Sequence, residues 1–219
     1  MNEERKIYVH GVTFDNVTME EAVTEAMSLI RERRGAYVVT PNPEIIMVCR
    51  KDSEAAEAVE AAALTLPDGI GVIYASRILK RPLKEKVSGC DFILNRMERM
   101  EPGNGSVYLL GAKPGVAETA REKLAARYPG LRFVGTHDGY FQDDAPILEE
   151  LKACRPDLLL VCLGAPKQEK WMHKYAASLD VGLMIGAGGS LDVYAGTANS
   201  GGSGAVGLRQ ELRKLCGFT

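Results

Sequence analysis

Short apolar runs alternate with longer segments whose apolar positions recur at helical spacing. Two of the runs, Ser106–Leu110 and Asp157–Leu163, lack the in-and-out alternation of a strand with one exposed face. Amphipathic segments such as Val116–Tyr128 separate runs of this kind. Continuous apolar strands separated by helices are typical of a parallel sheet that is covered on both faces. The pattern therefore predicts an α/β fold with a Rossmann-like parallel sheet and helices on both sides.

The amino-terminal end of the chain departs from this alternation. Lys6–His10 and Val12–Phe14 flank a single glycine and predict a small hairpin. Thr18–Arg33 begins with a capping box and predicts a helix. Ser53–Ala63 is rich in alanine and predicts a helix that begins at a serine cap. We therefore expect a small hairpin beside the parallel sheet.

The last part of the chain has a different composition. Thr197–Gly207 is small, polar and rich in glycine, which is typical of a linker. Leu208–Thr219 follows, with leucines on one helical face and basic residues beside them. This segment is consistent with contact to a membrane surface or a partner helix, but its length is marginal for an isolated helix, and a frayed end is slightly favoured. We predict an α/β domain over residues 1–196 and a linker-like, amphipathic tail over residues 197–219.

Composition and charge argue against several classes of protein. Hydrophobic residues make up 46% and charged residues 26% of the chain, as in ordinary globular proteins, and the formal net charge is −2. No nucleic-acid partner is expected, because binding by phosphate neutralisation requires a basic surplus. The longest apolar stretches are too short to span a bilayer, and residues 1–6 show no signal peptide. Five scattered cysteines without CxxC spacing indicate reduced thiols in a cytoplasmic protein.

Polar residues and glycines follow six of the predicted strands. In open parallel sheets, ligands bind beyond the carboxyl ends of the strands, so these segments are expected to form a rim around a site. The segments are Pro41–Glu44, Pro67–Gly69, Gly111–Ala112, Gly135–Phe141, Gly164–Glu169 and Gly186–Ser190. Glycine lets backbone amides approach phosphate oxygens closely. Each of the two glycine segments that open a helix, Gly164–Pro166 and Gly186–Ser190, is better explained, when taken alone, as a close-packed turn.

Individual residues of the rim leave alternatives open. Asp68 lies between a proline and a glycine, where its carboxylate either points into a cleft or stabilises its own turn. Asn42 allows the same two interpretations, and Thr40 could simply end its strand. Trp171 could face a ligand, but a place in the core is the preferred interpretation.

Several common catalytic motifs are missing from the sequence. Neither the GxGxxG nor the P-loop pattern occurs, so dinucleotide and P-loop sites are not supported. The histidines lie far apart and no DxD pair is present, so we expect no metal site and no cofactor. Ser190 lacks the GxSxG surroundings of a hydrolase nucleophile.

Seven short motifs occur along the chain in one order. They are TPNPEI (Thr40–Ile45), PDGIGV (Pro67–Val72), GCD (Gly89–Asp91), LLGAKPGVAE (Leu109–Glu118), GYF (Gly139–Phe141), LGAPKQEKW (Leu163–Trp171) and GAGGSLD (Gly186–Asp192). Together they resemble the WecG/TagA/CpsF glycosyltransferase family, glycosyltransferase family 26, over roughly Lys6 to Gly196. Beyond Gly196 the chain does not match the basic, aromatic tail of relatives. The family's C-terminal appendage is therefore expected to be absent or altered.

The resemblance implies an inverting, metal-independent glycosyltransferase without a cofactor. It implies transfer of N-acetylmannosamine from the UDP-sugar donor UDP-ManNAc to a polyprenyl-diphosphate-linked sugar acceptor, GlcNAc on undecaprenyl diphosphate. The product would serve wall teichoic acid or a related surface polysaccharide. The protein would be cytoplasmic and peripheral on the inner face of the cell membrane, which relatives touch through their tail. Homo-oligomer formation stays open, as does the donor sugar, which could be ManNAc, its uronic acid or glucose. The alternative from another class is a non-catalytic nucleotide-sugar-binding α/β module.

The same resemblance implies roles for single residues. Asp68 would be the general base, Thr40 and Asn42 would line the same pocket, and Gln168 would lie near the donor or the acceptor. The glycines implied to hold the nucleotide diphosphate are Gly164, Gly186, Gly188 and Gly189. The remaining implied substrate-binding residues are Lys86, Asp91, Gly111, Tyr140, Lys167 and Ser190. Lys86 stands where relatives often carry arginine, and lysine lacks the bidentate fork of arginine.

Overall fold

A small antiparallel hairpin precedes the main sheet within residues 5–198, the part of the chain that the computed structural model describes. The hairpin pairs β1 (Lys6–Val9) with β2 (Val12–Asp15). The main sheet contains β3 (Ala36–Val39), β4 (Leu64–Thr65), β5 (Ser106–Gly111), β6 (Arg132–His137), β7 (Leu158–Cys162) and β8 (Leu183–Gly186). These strands lie in the order β4-β3-β8-β7-β5-β6, and each neighbouring pair is parallel. Most of the predicted tail, from residue 199 onward, lies outside the described residues.

Helices connect the strands and cover both faces of the main sheet. In chain order they are α1 (Met19–Glu32), α2 (Pro43–Cys49), α3 (Ser53–Glu60), α4 (Ile70–Ile78), α5 (Gly89–Met100), α6 (Val116–Arg127), α7 (Ala145–Cys154), α8 (Lys167–Tyr175) and α9 (Ser190–Ala195). A 3₁₀ turn, Glu101–Gly103, follows α5. The predicted α/β fold, with its parallel sheet and amino-terminal hairpin, is confirmed. Between residues 5 and 198, no helix combines the length and the apolar character that a bilayer crossing requires.

The central strands are almost entirely apolar because both faces of the sheet are covered. In β7, Leu158 and Leu160 pack into the apolar cluster that includes α1, α5, α6 and α9. Leu159 and Val161 point to the other face, into the cluster that includes α2, α3, α8 and the hairpin. A strand buried in this way has no solvent-facing position at which a polar residue would be favoured.

The hairpin fixes the strand that leads into the site. Ile7 and Val9 point inward and pack in the same cluster as α4. At the end of β2, the buried carboxylate of Asp15 accepts the N–H of Thr65 in β4 at 2.9 Å. Lys6 lies 3.0 Å from the same carboxylate and balances its charge. These contacts position the turn that follows β4.

Two helix starts test the predicted caps. At α1, Thr18 Oγ1 accepts the N–H of Glu21 at 3.3 Å, and the Glu21 carboxylate accepts the N–H of Thr18 at 2.8 Å. This capping box is confirmed. At α3 the predicted serine cap is wrong, because the Asp52 carboxylate accepts the N–H of Ala55 at 3.1 Å. A carboxylate at this position also interacts favourably with the helix dipole.

Candidate active site

Two neighbouring cavities open at the carboxyl ends of the central strands. The first has a volume of about 730 Å³ and the second a volume of about 700 Å³. Their common wall comes from the segments after β7 and β8 and consists of Gly164, Gly188, Gly189 and Asp192. Open parallel sheets bind ligands at this edge. Segments predicted to form a rim therefore meet where a ligand is expected.

Most of the predicted site residues line one cavity or both. Besides the shared glycines, the first cavity is lined by Thr40, Asn42, Asp68, Gln168 and Ser190. The second cavity is lined by Tyr140 and Lys167 together with the same glycines.

Asp68 lies in the turn between β4 and α4. Its Oδ2 accepts the N–H of Gly89, the first residue of α5, at 3.1 Å. Ser88 provides no side-chain cap at this helix start, so Asp68 satisfies an amide that the helix leaves unpaired. Burial raises the pKa of Asp68 above its ordinary value, while the Gly89 N–H and the charge of Lys86 act in the opposite direction. The carboxylate thus reaches across the cavity wall to another helix and does more than stabilise its own turn.

The glycine at the start of α5 lets Thr40 and Asp68 approach the same point. A Cβ atom at Gly89 would lie 3.0 Å from Thr40 Oγ1 and 3.4 Å from Asp68 Oδ2. Thr40 Oγ1 donates to the carbonyl oxygen of Gly186 at 3.5 Å, a long contact that orients the hydroxyl. A hydroxyl and a carboxylate therefore converge in the first cavity.

Asn42 caps α2 from the wall of the first cavity. Its Oδ1 accepts the N–H of Glu44 at 2.9 Å and the N–H of Ile45 at 3.0 Å. The turn-stabilising interpretation of Asn42 is therefore confirmed, and the residue also lines the cavity. Its side-chain nitrogen takes no part in the cap and can donate to a ligand.

Gln168 connects the glycine wall to a buried carboxylate. Its Oε1 accepts the N–H of Gly188 at 3.1 Å, and its Nε2 donates to Oε1 of Glu169 at 2.9 Å. Both side chains are buried, and Oε2 of Glu169 has no hydrogen-bond partner within residues 5–198. Burial raises the pKa of Glu169, against the effect of the hydrogen bond from Gln168. The carboxyl group of Glu169 therefore holds the amide of Gln168, which in turn holds the loop after β8.

Lys167 brings a positive charge to the second cavity. Its Nζ lies 4.8 Å from the ring centroid of Phe141 and donates to the carbonyl oxygen of Gly139 at 3.4 Å. The adjacent Tyr140 exposes 70% of its surface, and its N–H donates to the carboxylate of Asp138 at 2.7 Å. A cavity lined by both a cation and an exposed aromatic ring suits a ligand that combines negative charge with a planar base.

The sequence model of one family, described as the glycosyl transferase WecG/TagA/CpsF family, matches residues 7–201. The chain belongs to this family. N-acetylglucosaminyldiphosphoundecaprenol N-acetyl-beta-D-mannosaminyltransferase of Staphylococcus aureus is 33% identical over 194 residues, which are 87% of this chain and 76% of the relative. The enzyme of the same name from Bacillus spizizenii is 32% identical over 165 residues, 75% of this chain and 64% of the relative. The protein is therefore a WecG/TagA/CpsF glycosyltransferase.

Four residues that the family resemblance implied for substrate binding line neither of the two cavities. Lys86 is exposed on the loop before α5 and acts on Asp68 through its charge. Asp91 is exposed and lines a third cavity of about 320 Å³ between α5, α6 and α9, because its position on α5 turns it away from Asp68. Gly111 is buried in β5, and Gly186 ends β8 with its carbonyl oxygen toward Thr40. We assign these two glycines structural roles.

Sequence reasoning missed two carboxylates of this glycosyltransferase site. Asp192 lines both cavities, and its place at the end of the GAGGSLD motif was the available signal. Glu169 was missed although a charged residue on the buried face of an amphipathic helix is itself unusual. Trp171 is confirmed as a core residue, with its Nε1 donating to Asp144 at 3.1 Å. Within residues 5–198, no group of three or more His, Cys, Asp or Glu side chains could hold a metal ion.

Replacing Glu169 by glutamine is expected to remove one component of the dependence of stability on pH. Because the folded protein holds this proton more tightly than the unfolded chain, the contribution of Glu169 to stability is full below the unfolded pKa of about 4.3 and is lost as pH rises through the higher folded pKa. Glutamine does not ionise, so the variant should not show this loss of stability as pH rises. Urea unfolding between acidic and neutral pH measures the difference, with the exposed Glu122→Gln as the control. If the free energy of unfolding of Glu169→Gln depended on pH as in the wild type, ionisation of Glu169 would not destabilise the folded protein.

Proposed function

We propose that this glycosyltransferase moves N-acetylmannosamine from UDP-ManNAc to GlcNAc on undecaprenyl diphosphate, with inversion and without a metal ion. The named activity of the relatives supports the sugar and the lipid-linked acceptor. The observation that carries the mechanism is the half-buried carboxylate of Asp68, which lines the same cavity as the hydroxyl of Thr40, beside a second cavity that contains Lys167. With a nucleotide-sugar donor and a lipid-linked acceptor, we expect the reaction at the cytoplasmic surface of the membrane.

Asp68 acts as the general base in this proposal. An inverting transfer needs one carboxylate to take the proton of the acceptor hydroxyl while that oxygen attacks the anomeric carbon of the donor sugar. The bond from the anomeric carbon to UDP breaks on the opposite face. Burial raises the pKa of Asp68 and so makes its ionised form a stronger base. The Gly89 N–H keeps Oδ2 of this carboxylate fixed, which orients the group in the cavity.

The two cavities divide the substrates between them. The first cavity, with Asp68, Thr40 and Asn42, takes the acceptor hydroxyl and the transferred sugar. The second cavity, with Lys167 and the exposed ring of Tyr140, takes the uridine diphosphate. Asp192 lies in the common wall, where its carboxylate can accept hydrogen bonds from hydroxyl groups of the donor.

Backbone amides and a lysine stabilise the departing diphosphate. The Gly188 N–H is already donated to Gln168, so we assign the diphosphate to the amides of Gly164 and Gly189, which lie in the wall between the cavities. Lys167 adds a positive charge from the second cavity. Preorganised donors of this kind stabilise charge that develops in the transition state.

Removal of divalent cations is expected to leave turnover unchanged, because protein groups neutralise the diphosphate. The measurement is UDP release by a metal-stripped sample in EDTA, with the same sample in excess Mg²⁺ or Mn²⁺ beside it. Loss of activity in EDTA together with recovery on adding a metal would contradict the metal-free mechanism.

The reaction itself is tested by supplying a panel of UDP-sugars together with a short-chain GlcNAc-diphosphate-lipid acceptor. We expect UDP release and a disaccharide product with UDP-ManNAc, and an inverted anomeric configuration in that product. Uridine diphosphate glucose and the uronic acid donor should react more slowly. A protein that binds the nucleotide sugar and returns it unchanged would be a binding module, and the proposal would fail.

A further inference from the structure

The end of α4 carries an unusual concentration of exposed apolar side chains. Within residues 5–198, the large apolar or aromatic side chains that are exposed are Tyr8, Tyr74, Ile78, Leu79 and Tyr140. Three of them lie within six residues on α4 and its cap, and Ile78 and Leu79 expose 57% and 43% of their surfaces. The opposite face of α4 is buried, with Val72, Ile73 and Ala75 in the core. We define the α4 end face as Tyr74, Arg77, Ile78, Leu79, Lys80 and Arg81.

The same face is strongly basic in a chain whose net charge is −2. Residues 77–86 contain five basic residues and one acidic residue. That acidic residue, Glu85, accepts the N–H of Met19 at the start of α1, and Lys84 forms an ion pair with Glu21 at 2.9 Å. Arg77, Lys80 and Arg81 form no ion pair with any carboxylate of residues 5–198. Their charges are therefore available to an external partner.

Hydrogen bonds hold this face in a defined shape. The N–H of Arg81 donates to the carbonyl oxygen of Ser76 at 3.0 Å, and the N–H of Leu83 donates to Ser76 Oγ at 3.1 Å. Leu83 is buried and ties the turn to the core. The guanidinium of Arg77 lies 5.7 Å from the ring centroid of Tyr74. The apolar side chains are thus displayed by an anchored turn.

The chain segments before and after the α4 end face both lead to the turn that contains Asp68. The helix begins two residues after Asp68, and its nine residues span about 13 Å at 1.5 Å per residue. The chain then returns toward the site, where the N–H of Val87 donates to the carbonyl oxygen of Pro67 at 3.0 Å. The α4 end face therefore lies about one helix length, roughly 13 Å, from the turn that contains Asp68.

We propose that the α4 end face binds the surface of an anionic lipid bilayer. The inference rests on the proposed function, in which the acceptor is carried by a lipid. Apolar side chains of this size enter the boundary between headgroups and acyl chains, and the flanking cations pair with anionic headgroups. A second copy of the chain is a poorer partner, because a two-fold contact through this face would oppose Arg77, Lys80 and Arg81 to their own equivalents. Bilayer binding would present the lipid-linked acceptor to Asp68.

Vesicle co-sedimentation tests this surface directly. The vesicles contain phosphatidylglycerol and phosphatidylcholine, or phosphatidylcholine alone, and the variants are Ile78→Ser/Leu79→Ser and Arg77→Gln/Lys80→Gln/Arg81→Gln. We expect the wild type to prefer the anionic vesicles and each variant to lose at least tenfold in partition, since a basic residue at an anionic surface contributes roughly fivefold. The charge control removes three cations from other elements, as Arg34→Gln/Arg127→Gln/Lys152→Gln, and the apolar control is Tyr8→Ser.

Each outcome of this experiment decides the proposal. The proposal would be overturned if both α4 variants bound anionic vesicles as strongly as the wild type does. It would also be overturned if the control variants lost as much vesicle binding as the α4 variants. A change from dimer to monomer in the variants by light scattering, with vesicle binding unchanged, would assign the face to a second copy and overturn it too. Equal circular dichroism and melting temperature verify folding. Turnover with a water-soluble acceptor analogue should match the wild type. Absence of turnover in the wild type itself would refute the proposed function and leave the vesicle result to stand separately.

Discussion

Replacing Asp68 by asparagine is expected to lower turnover by about 10²–10⁴-fold, the usual effect of losing a general base. The exchange keeps the size of the side chain and an oxygen that can accept the N–H of Gly89, so α5 should keep its start. UDP binding should also persist, because the second cavity is formed by other residues. Single-turnover kinetics measures the rate of the chemical step, UDP titration measures the affinity for UDP, and thermal melting measures the stability of the fold.

Asp91→Asn is the matched control for this substitution. Asp91 is also an acidic residue in this region, but it lines the third cavity, and its negative charge contributes to the raised pKa of Asp68. Turnover at neutral pH should therefore survive in Asp91→Asn, and the acidic limb of the pH–rate profile should move to lower pH. Wild-type turnover in Asp68→Asn would make Asp68 a cap of α5 and place the base elsewhere. Equal losses in both variants would indicate a general electrostatic effect.

The sheet could be predicted from the sequence because its strands follow one simple physical rule. Strands such as β5 and β7 are covered on both faces, so every position except Ser106 at the start of β5 is apolar and the signal accumulates along the strand. The edge that binds ligands followed from the parallel arrangement, without knowledge of the strand order. The start of α3 was harder, because Asp52 and Ser53 are adjacent and both favour a cap.

The direction of individual side chains could not be predicted from residue type and spacing. Asp68 and Asp91 both lie in short motifs near the rim, yet only Asp68 lines the first cavity. The difference depends on how α5 is rotated against the sheet, which long-range packing decides. The pairing of Gln168 with Glu169 depends on packing in the same way. The carboxyl group of Glu169 is held against Gln168 because the packing of α8 buries both side chains.

The roles of the glycines in the rim were the hardest to predict from the sequence, because a glycine has no side chain from which a role can be inferred. Gly164 and Gly189 form the wall between the cavities, and a Cβ atom at either would meet no atom within 4 Å. Gly111 occupies the end of β5, where a Cβ atom would lie 2.2 Å from the carbonyl oxygen of Cys162. The same residue type thus borders open space at two positions and allows close strand packing at the third.

Replacing Gly111 by alanine is therefore expected to destabilise the fold by about 3 kcal/mol or more, through crowding and backbone strain together. The added atom would also lie 2.4 Å from the carbonyl carbon of Cys162, and backbone in the middle of a parallel sheet cannot move aside cheaply. The φ angle of +129° adds strain, because side chains rarely adopt it. Thermal unfolding should show a loss on the order of 10 °C in melting temperature.

Gly115→Ala separates the two causes of this destabilisation. Gly115 also has a positive φ, at +85°, but no atom lies within 4 Å of its added Cβ, so only the backbone strain of about 1 kcal/mol applies. The melting temperature of Gly111→Ala should therefore fall well below that of Gly115→Ala. Equal melting temperatures would mean that β5 shifts against β7 to admit the methyl group. In that case the close pairing of Gly111 with Cys162 would not be what holds the carboxyl end of β5 in place. If the expected difference is found, Gly111 supports the active site through the sheet, and variants at this position should lose activity and stability together.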